Sequence, residues 1–305
     1  MDIRQACRMG SIDDFFNRDG REVVENLQNL GFFKKSKRCL VRTCRRQMRL
    51  CPKAGMYCGY AFRCSKCKRG YLSITDGTFF EGLRLDVRDI FKIIFLWSCY
   101  VSVDSASRDL GLRRGTVMQY YTFIRDTCSW KLLNEIRSRQ LGGVGHVVQV
   151  DESVVTKRKC HQARLAKEKW VVGLYDVNDE RGTIALVDDR SERTLKGVLT
   201  NLILPGTEIW TDEGTGYKFL QNYDGVSPYT HHTVNDSRDF VNPATGVHTN
   251  VIGGYRSLLE EFCRRMGVVP ARMLPHHVDE FLWRREFKDS QFTNILNHIL
   301  EKYPQ

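Results

Sequence analysis

Six of the chain's eleven cysteines, Cys39, Cys44, Cys51, Cys58, Cys64 and Cys67, fall within 29 residues. A segment that short cannot bury enough apolar surface to fold unaided, so it needs a covalent or metal staple. The N-terminal stretch MDIRQACRMGSIDDFF lacks the apolar core of a secretory signal, which points to a reducing compartment and to metal rather than disulfides. Cys64-Ser-Lys-Cys67 is a CxxC knuckle, and Cys39 with Cys44 forms a looser CxxxxC pair about 20 residues earlier. Four thiolates at this spacing suit a tetrahedral, structural Zn²⁺. Cys51 and Cys58 are alternative ligands, and unligated cysteines are the competing reading. Cys7, Cys99, Cys128, Cys160 and Cys263 are scattered and are expected to be buried apolar fillers.

Charge divides along the 305 residues. Residues 1–140 carry 27 basic and 14 acidic residues, and the remainder carries 20 and 22. A basic front joined to a near-neutral back describes a polyanion-binding module attached to a module with another task, and nucleic acid is the expected polyanion. No apolar run reaches the roughly 18 residues of a membrane span, so no membrane partner is expected. The run KKSKR at 34–38, beside the cysteines, suits phosphate contact or an import signal, against the bland reading of a solvated surface.

The pattern along the chain separates into four segments: a helical and basic N-terminus (1–37), a zinc ribbon-like module (38–82), a helical module (83–141) and an α/β domain (142–305). In the third segment, Val87, Ile90, Phe91, Ile94 and Phe95 recur at helical steps. Two shorter helices flank a turn at Gly111, an arrangement compatible with helix-turn-helix or with a plain three-helix bundle. Arg113 and Arg114 at the entry to the last helix favour a DNA contact. In the fourth segment, HVVQVDE (146–152), KWVVGLYDV (169–177) and GTIALVDD (182–189) read as strands. A helix at about 192–202 and a fourth strand, TEIWTDE (207–213), follow. That order describes an α/β domain with a mixed sheet. The stretch after it is read as loop up to a helix near 250–266, with another near 277–287. The basic loop of Lys157, Arg158 and Lys159 is solvated by default and otherwise suits a DNA backbone.

Asp151 and Asp212 each end a hydrophobic strand. Strand-end carboxylates on adjacent strands can hold divalent ions that clamp the attacking and leaving oxygens of a phosphodiester. The competing reading is a pair of ordinary turn aspartates.

The words around these residues carry a resemblance. VDES (150–153), WVVGLYD (170–176), TDEGTGY (211–217), FVNPATGVHTNVIGGY (240–255) and DEFLWR (279–284) occur in the order of the Merlin superfamily of DDE transposases, related to bacterial insertion-sequence transposases. SITDGTFFEG (73–82) looks like that family's link between zinc ribbon and helices. The resemblance implies a ribonuclease H-like domain that uses two Mg²⁺ or Mn²⁺ ions to nick transposon ends in double-stranded DNA and join the 3′ hydroxyl to target DNA. It implies catalytic, metal-binding roles for Asp151 and Asp212 and a DNA-contacting or helix-orienting role for His248. Because joining needs paired ends, it implies a homodimer, and nuclear residence follows from DNA binding and the resemblance.

The third acidic residue departs from the pattern. The family reads roughly HTNxIEGxWxxLK; aligned on His248-Thr249-Asn250, its glutamate falls on Gly253, which has no side chain to ligate a metal. Arg256 stands in place of tryptophan, Glu260 in place of lysine and Asp236 in place of a histidine. Glu260 and Asn250 are the candidate substitutes, although Glu260 lies two helical turns away and an amide oxygen is a weaker ligand than a carboxylate. The expectation is a transposase-like DNA-binding protein with impaired catalysis. The alternative is a non-catalytic, host-retained regulatory protein.

Overall fold

The computed structural model describes residues 2–56, 59–68, 70–82, 84–136, 140–154, 169–220, 228–234, 246–266 and 269–305. It forms two compact units, residues 1–131 with 287–305, and residues 132–286.

The first unit opens with helices α1 (Met9–Phe16) and α2 (Gly20–Asn29), the latter capped by Asp19, whose carboxylate accepts from the Arg21 and Glu22 N–H groups. A three-stranded antiparallel sheet follows: β1 (Arg49–Pro52), β2 (Tyr60–Arg63) and β3 (Leu72–Ser73), in that order. The SITDGTFFEG link buries Phe79 and Phe80, and Phe80 joins Phe32, Phe33 and Phe91 in a cluster of rings 5.3 to 6.2 Å apart. Helices α3 (Val87–Ser98), α4 (Val103–Leu110) and α5 (Arg114–Lys131) come next. Ser102 caps α4, and Gly111 ends it with φ 64°, a left-handed conformation that glycine adopts without steric cost. The α4–turn–α5 unit has the form of a helix-turn-helix.

The second unit is built on five strands: β5 (Val147–Val154), β6 (Trp170–Asp176), β7 (Arg181–Val187), β9 (Glu208–Asp212) and β10 (Thr230–Val234). The two-residue strands β4 (Leu141–Gly142) and β8 (Ile203–Leu204) pair beside them. The sheet order is β10-β9-β5-β6-β7. The first three strands are antiparallel neighbours, and β9 and β10 add in parallel on the far side of β5. Numbered along the chain, that is 3-2-1-4-5 with only the second strand reversed, the ribonuclease H-like mixed sheet. Helix α6 (Glu192–Leu202), capped by Ser191, makes the crossover. Its Leu195 and Leu199 close a core with Val148, Val150, Val172, Leu174 and Ile209.

Side chains alternate along a strand, so Gln149 and Asp151 lie on the opposite face, where α7 (Asn250–Met266) packs against β5 and β6. Two strand glycines let it approach: a Cβ on Gly173 would stand 3.1 Å from Ile252 of α7, and one on Gly182 would stand 2.7 Å from the Tyr255 ring. Helix α8 (Leu274–Glu286) packs against β7 and α7, burying Phe281 and Trp283 as the DEFLWR segment predicts. It also buries the Glu280–Arg284 ion pair at 2.9 Å. The chain then enters α9 (Gln291–Lys302), which packs against α3 and α5.

Several expectations differ from the structure. The stretch read as loop after 213 contains β10, whose THHTV sequence lacks apolar alternation and is a strand because β9 offers it a parallel partner. The sequence reading has no counterpart to α9, although Phe292, Ile295, Leu296 and Ile299 carry a helical spacing and are buried. Residues 287–305, placed with the last segment from sequence, belong to the first compact unit. Cys7 and Cys99 are exposed rather than buried fillers.

Candidate active site and metal centre

Register brings the two aspartates together. Strand β5 pairs with β9 through Val147↔Glu208, Val148↔Ile209 and Gln149↔Trp210; two residues further along each strand stand Asp151 and Asp212. Both therefore share the face that carries Gln149, Trp210 and α7.

Gln149, fully buried, sets the helix on that face. Its side-chain oxygen accepts the backbone N–H groups of Val251 (3.1 Å) and Ile252 (3.0 Å), capping α7 from inside the sheet. Its amide nitrogen lies 3.4 Å from His248 Nδ1, and the His248 ring meets Trp210 edge to face at 5.4 Å. His248 therefore touches the residue that caps α7. Sequence reasoning missed Gln149, although a polar residue inside the apolar run VVQVD, two before a site carboxylate, is a readable signal.

Arg256 donates to Asp151 Oδ2 at 2.5 Å, and its Nε stands 3.9 Å from Glu260 Oε1. Gly253 lies one helical turn before Arg256 on the same side, and a Cβ built on it meets nothing within 4 Å. The position has room for a side chain and carries none. Arg256 links Glu260 to Asp151, and Asn250 is exposed at the start of α7. Asp212 is tied locally: its Oδ1 accepts the Gly214 N–H at 3.0 Å. Glu152, next to Asp151 but on the other face, is pushed above the usual carboxylate range by burial, with Asp212 and Asp151 adding to the rise.

As arranged, these residues do not fit a two-ion centre. One carboxylate already carries a guanidinium, position 253 offers no side chain, and neither Asp151 nor Asp212 joins a cluster of three or more ligating groups among the described residues. One such cluster, His146, Asp176 and Asp179, is structural. Burial pushes the Asp176 carboxyl up, but the N–H groups of Asp179, Gly142 and Asn178 and the His146 ring outweigh it and hold the pKa below the usual range.

The other cluster is the thiol set. Cys39, Cys44, Cys64 and Cys67 lie within 4.8 Å of one another, and the Cys44 and Cys64 sulfurs are 3.7 Å apart. Zinc–sulfur bonds of about 2.3 Å in a tetrahedron imply a sulfur separation of about 3.8 Å, so these residues fit zinc. Backbone N–H groups of Cys67, foremost, and Lys66 pull the Cys64 thiol down to about 7, toward the thiolate a metal needs. Cys51 lies outside this set, its thiol 3.4 Å from the Ala61 carbonyl.

Of the expected DNA contacts, Arg113 and Arg114 are exposed at the entry to α5, with Arg114 paired to Asp104 of α4 at 2.6 Å. Lys157, Arg158 and Lys159, together with Cys58, Cys160 and Asp236, lie outside the described residues.

Residues 140–286 match the family model of the ISXO2-like transposase domain. The match takes in β4 through α8, just under half of the chain, and supports a DDE transposase-type domain there. No curated protein matches. Solved structures similar to this chain include the HTLV-2 integrase catalytic core domain in complex with magnesium in its trimeric form, with 15% identity, TM-score 0.31, and 48% of this chain and 87% of that one covered. A simian T-cell lymphotropic virus intasome in complex with the PP2A regulatory subunit B56 gamma is similar at 13% identity and TM-score 0.31, with 63% and 67% covered. The fold assignment rests on the strand order rather than on these likenesses.

Proposed function

We propose that this chain is a transposase-derived DNA-binding protein of the cut-and-paste DDE class, of Merlin type, in which nicking and 3′-end joining are impaired. One observation carries the reading: Arg256 occupies the carboxylate of Asp151, one turn from an empty position 253. Removing one acidic ligand weakens a site for ions that dehydrate reluctantly, and a guanidinium on the first aspartate competes with whatever cation remains. The same observation favours a second reading, a non-catalytic protein retained for regulation through DNA binding.

In both readings zinc holds the ribbon, the helix-turn-helix and its Arg113 and Arg114 contact double-stranded DNA, the chain acts as a homodimer, and it works in the nucleus. The test is nicking of supercoiled plasmid in Mg²⁺ and in Mn²⁺ by the natural chain, Gly253→Glu and Asp151→Asn. The proposal expects no nicking by the natural chain and at most a partial gain with Gly253→Glu, because Arg256 still holds Asp151. Nicking by the natural chain that disappears in Asp151→Asn overturns the impairment.

A further inference from the structure

Between residues 26 and 75 there is no aspartate or glutamate and there are 13 lysines and arginines. The fold does not scatter this charge. In the antiparallel pair β1 and β2, Arg49 stands directly opposite Arg63. The pairing of β2 with β3, Phe62↔Leu72, carries Tyr71 to the other side of Arg63. Arg49, Arg63 and Tyr71 thus form one row across all three strands, each of them exposed.

Like charges directly opposed on a sheet are destabilising. Lys37 pairs with Asp76 at the end of this stretch, but Arg49, Arg63 and Lys53 have no carboxylate partner among the described residues. What holds the cations is the tyrosine: the Arg63 guanidinium lies 5.1 Å and the Lys53 ammonium 4.9 Å from the Tyr71 ring centroid. Two opposed guanidiniums without carboxylate partners among the described residues, one of them held on an aromatic ring beside an ammonium, are organised for an external polyanion. Because the ring face is engaged by cations, the row suits backbone phosphates better than stacked bases.

We propose that the solvent face of the zinc ribbon's sheet is a phosphate-backbone clamp for duplex DNA, independent of sequence, with Arg49 and Arg63 making the contacts and Tyr71 orienting Arg63. The proposal rests on the reading of the chain as DNA-binding and adds an interface separate from the helix-turn-helix.

Binding of the zinc-loaded full chain to a duplex of arbitrary sequence, measured by fluorescence anisotropy over a salt series, tests it. Each lost phosphate contact makes log K against log salt shallower by about 0.9. Arg49→Gln with Arg63→Gln is expected to flatten the slope by about two with zinc content unchanged, and Arg49→Lys with Arg63→Lys to keep it, since a phosphate accepts either cation. If the glutamine pair loses zinc, the single variants decide, each with a drop of about one. An unchanged slope with zinc retained overturns the clamp, as does a loss confined to duplex RNA. A parallel Arg113→Gln with Arg114→Gln variant separates the readings: a flatter slope there and none in the ribbon variants removes the clamp and leaves DNA binding standing. No duplex binding by the natural chain removes both.

Discussion

Position 253 shows how one side chain decides what a pocket can hold. A Cβ there meets nothing within 4 Å, so Gly253→Glu adds a carboxylate in open space, but Arg256 still neutralises Asp151. The pair is partly exposed, and such pairs are worth no more than about 1 kcal/mol, so Arg256→Gln takes that guanidinium off the aspartate at little structural cost. Gly253→Glu combined with Arg256→Gln is therefore expected to gain a melting-temperature increase on adding Mn²⁺ that the natural chain lacks, because a ligand bound to the folded state alone stabilises it. Equal Mn²⁺ shifts in both proteins would sink this account. His231 offers a second test. Burial, with His232 nearby, lowers its pKa to about 4, and its Nε2 lies 3.0 Å from the Thr211 hydroxyl. The unfolded histidine takes a proton near 6.5 and the folded one does not, so the contribution of the neutral ring is whole above pH 6.5 and declines as pH falls toward 4. His231→Asn should remove that part of the pH dependence of urea unfolding; an identical profile would refute it.

At the scale of elements, the site exists because α7 lies close to the sheet. Gly182 is the tightest point of that approach, and Gly182→Ala would put a methyl group 2.7 Å from the Tyr255 ring and 2.9 Å from that of Tyr175. Overpacking of this kind costs about 1–3 kcal/mol. Denaturant unfolding should show that loss, and the Arg256–Asp151 pair should loosen as the helix is pushed away. A cost under about 0.5 kcal/mol would mean that the helix yields freely. The α4 and α5 pair was legible from its glycine turn, whereas β10 was not, because a parallel edge strand draws its conformation from its neighbour more than from its own residues.

At the scale of the whole molecule, the apolar cores of the two units and the thiol set of the small sheet are separate sources of stability. The ribbon-like segment has a short sheet and, among the described residues, one set of four thiols; if these hold zinc as proposed, its folding free energy is coupled to metal binding. Stripping zinc with a chelator is expected to unfold the ribbon and leave the melting of residues 132–286 unchanged. Elemental analysis of protein purified under reducing conditions should find about one zinc per chain, four thiolates making one tetrahedral site. Absence of zinc, or loss of both transitions together on chelation, would contradict this division.

Local spacing alone determined the thiol set, the three strands, crossover helix and fourth strand of the α/β domain, and the place of Asp212 at the end of its strand; Asp151, read from sequence as a strand end, lies inside β5, paired with Gly173. Each of these depends on residues near one another in the chain and on periods of two or 3.6. Tertiary structure decided the rest. The bond from Arg256 to Asp151 joins residues 105 positions apart, the capping of α7 by Gln149 joins residues 102 and 103 apart, and the opposition of Arg49 and Arg63 follows from strand register. A charge whose partner is set by register or by helix placement has no signature in its neighbours. The sequence therefore shows a glycine at position 253, while only the fold shows that a guanidinium sits on Asp151.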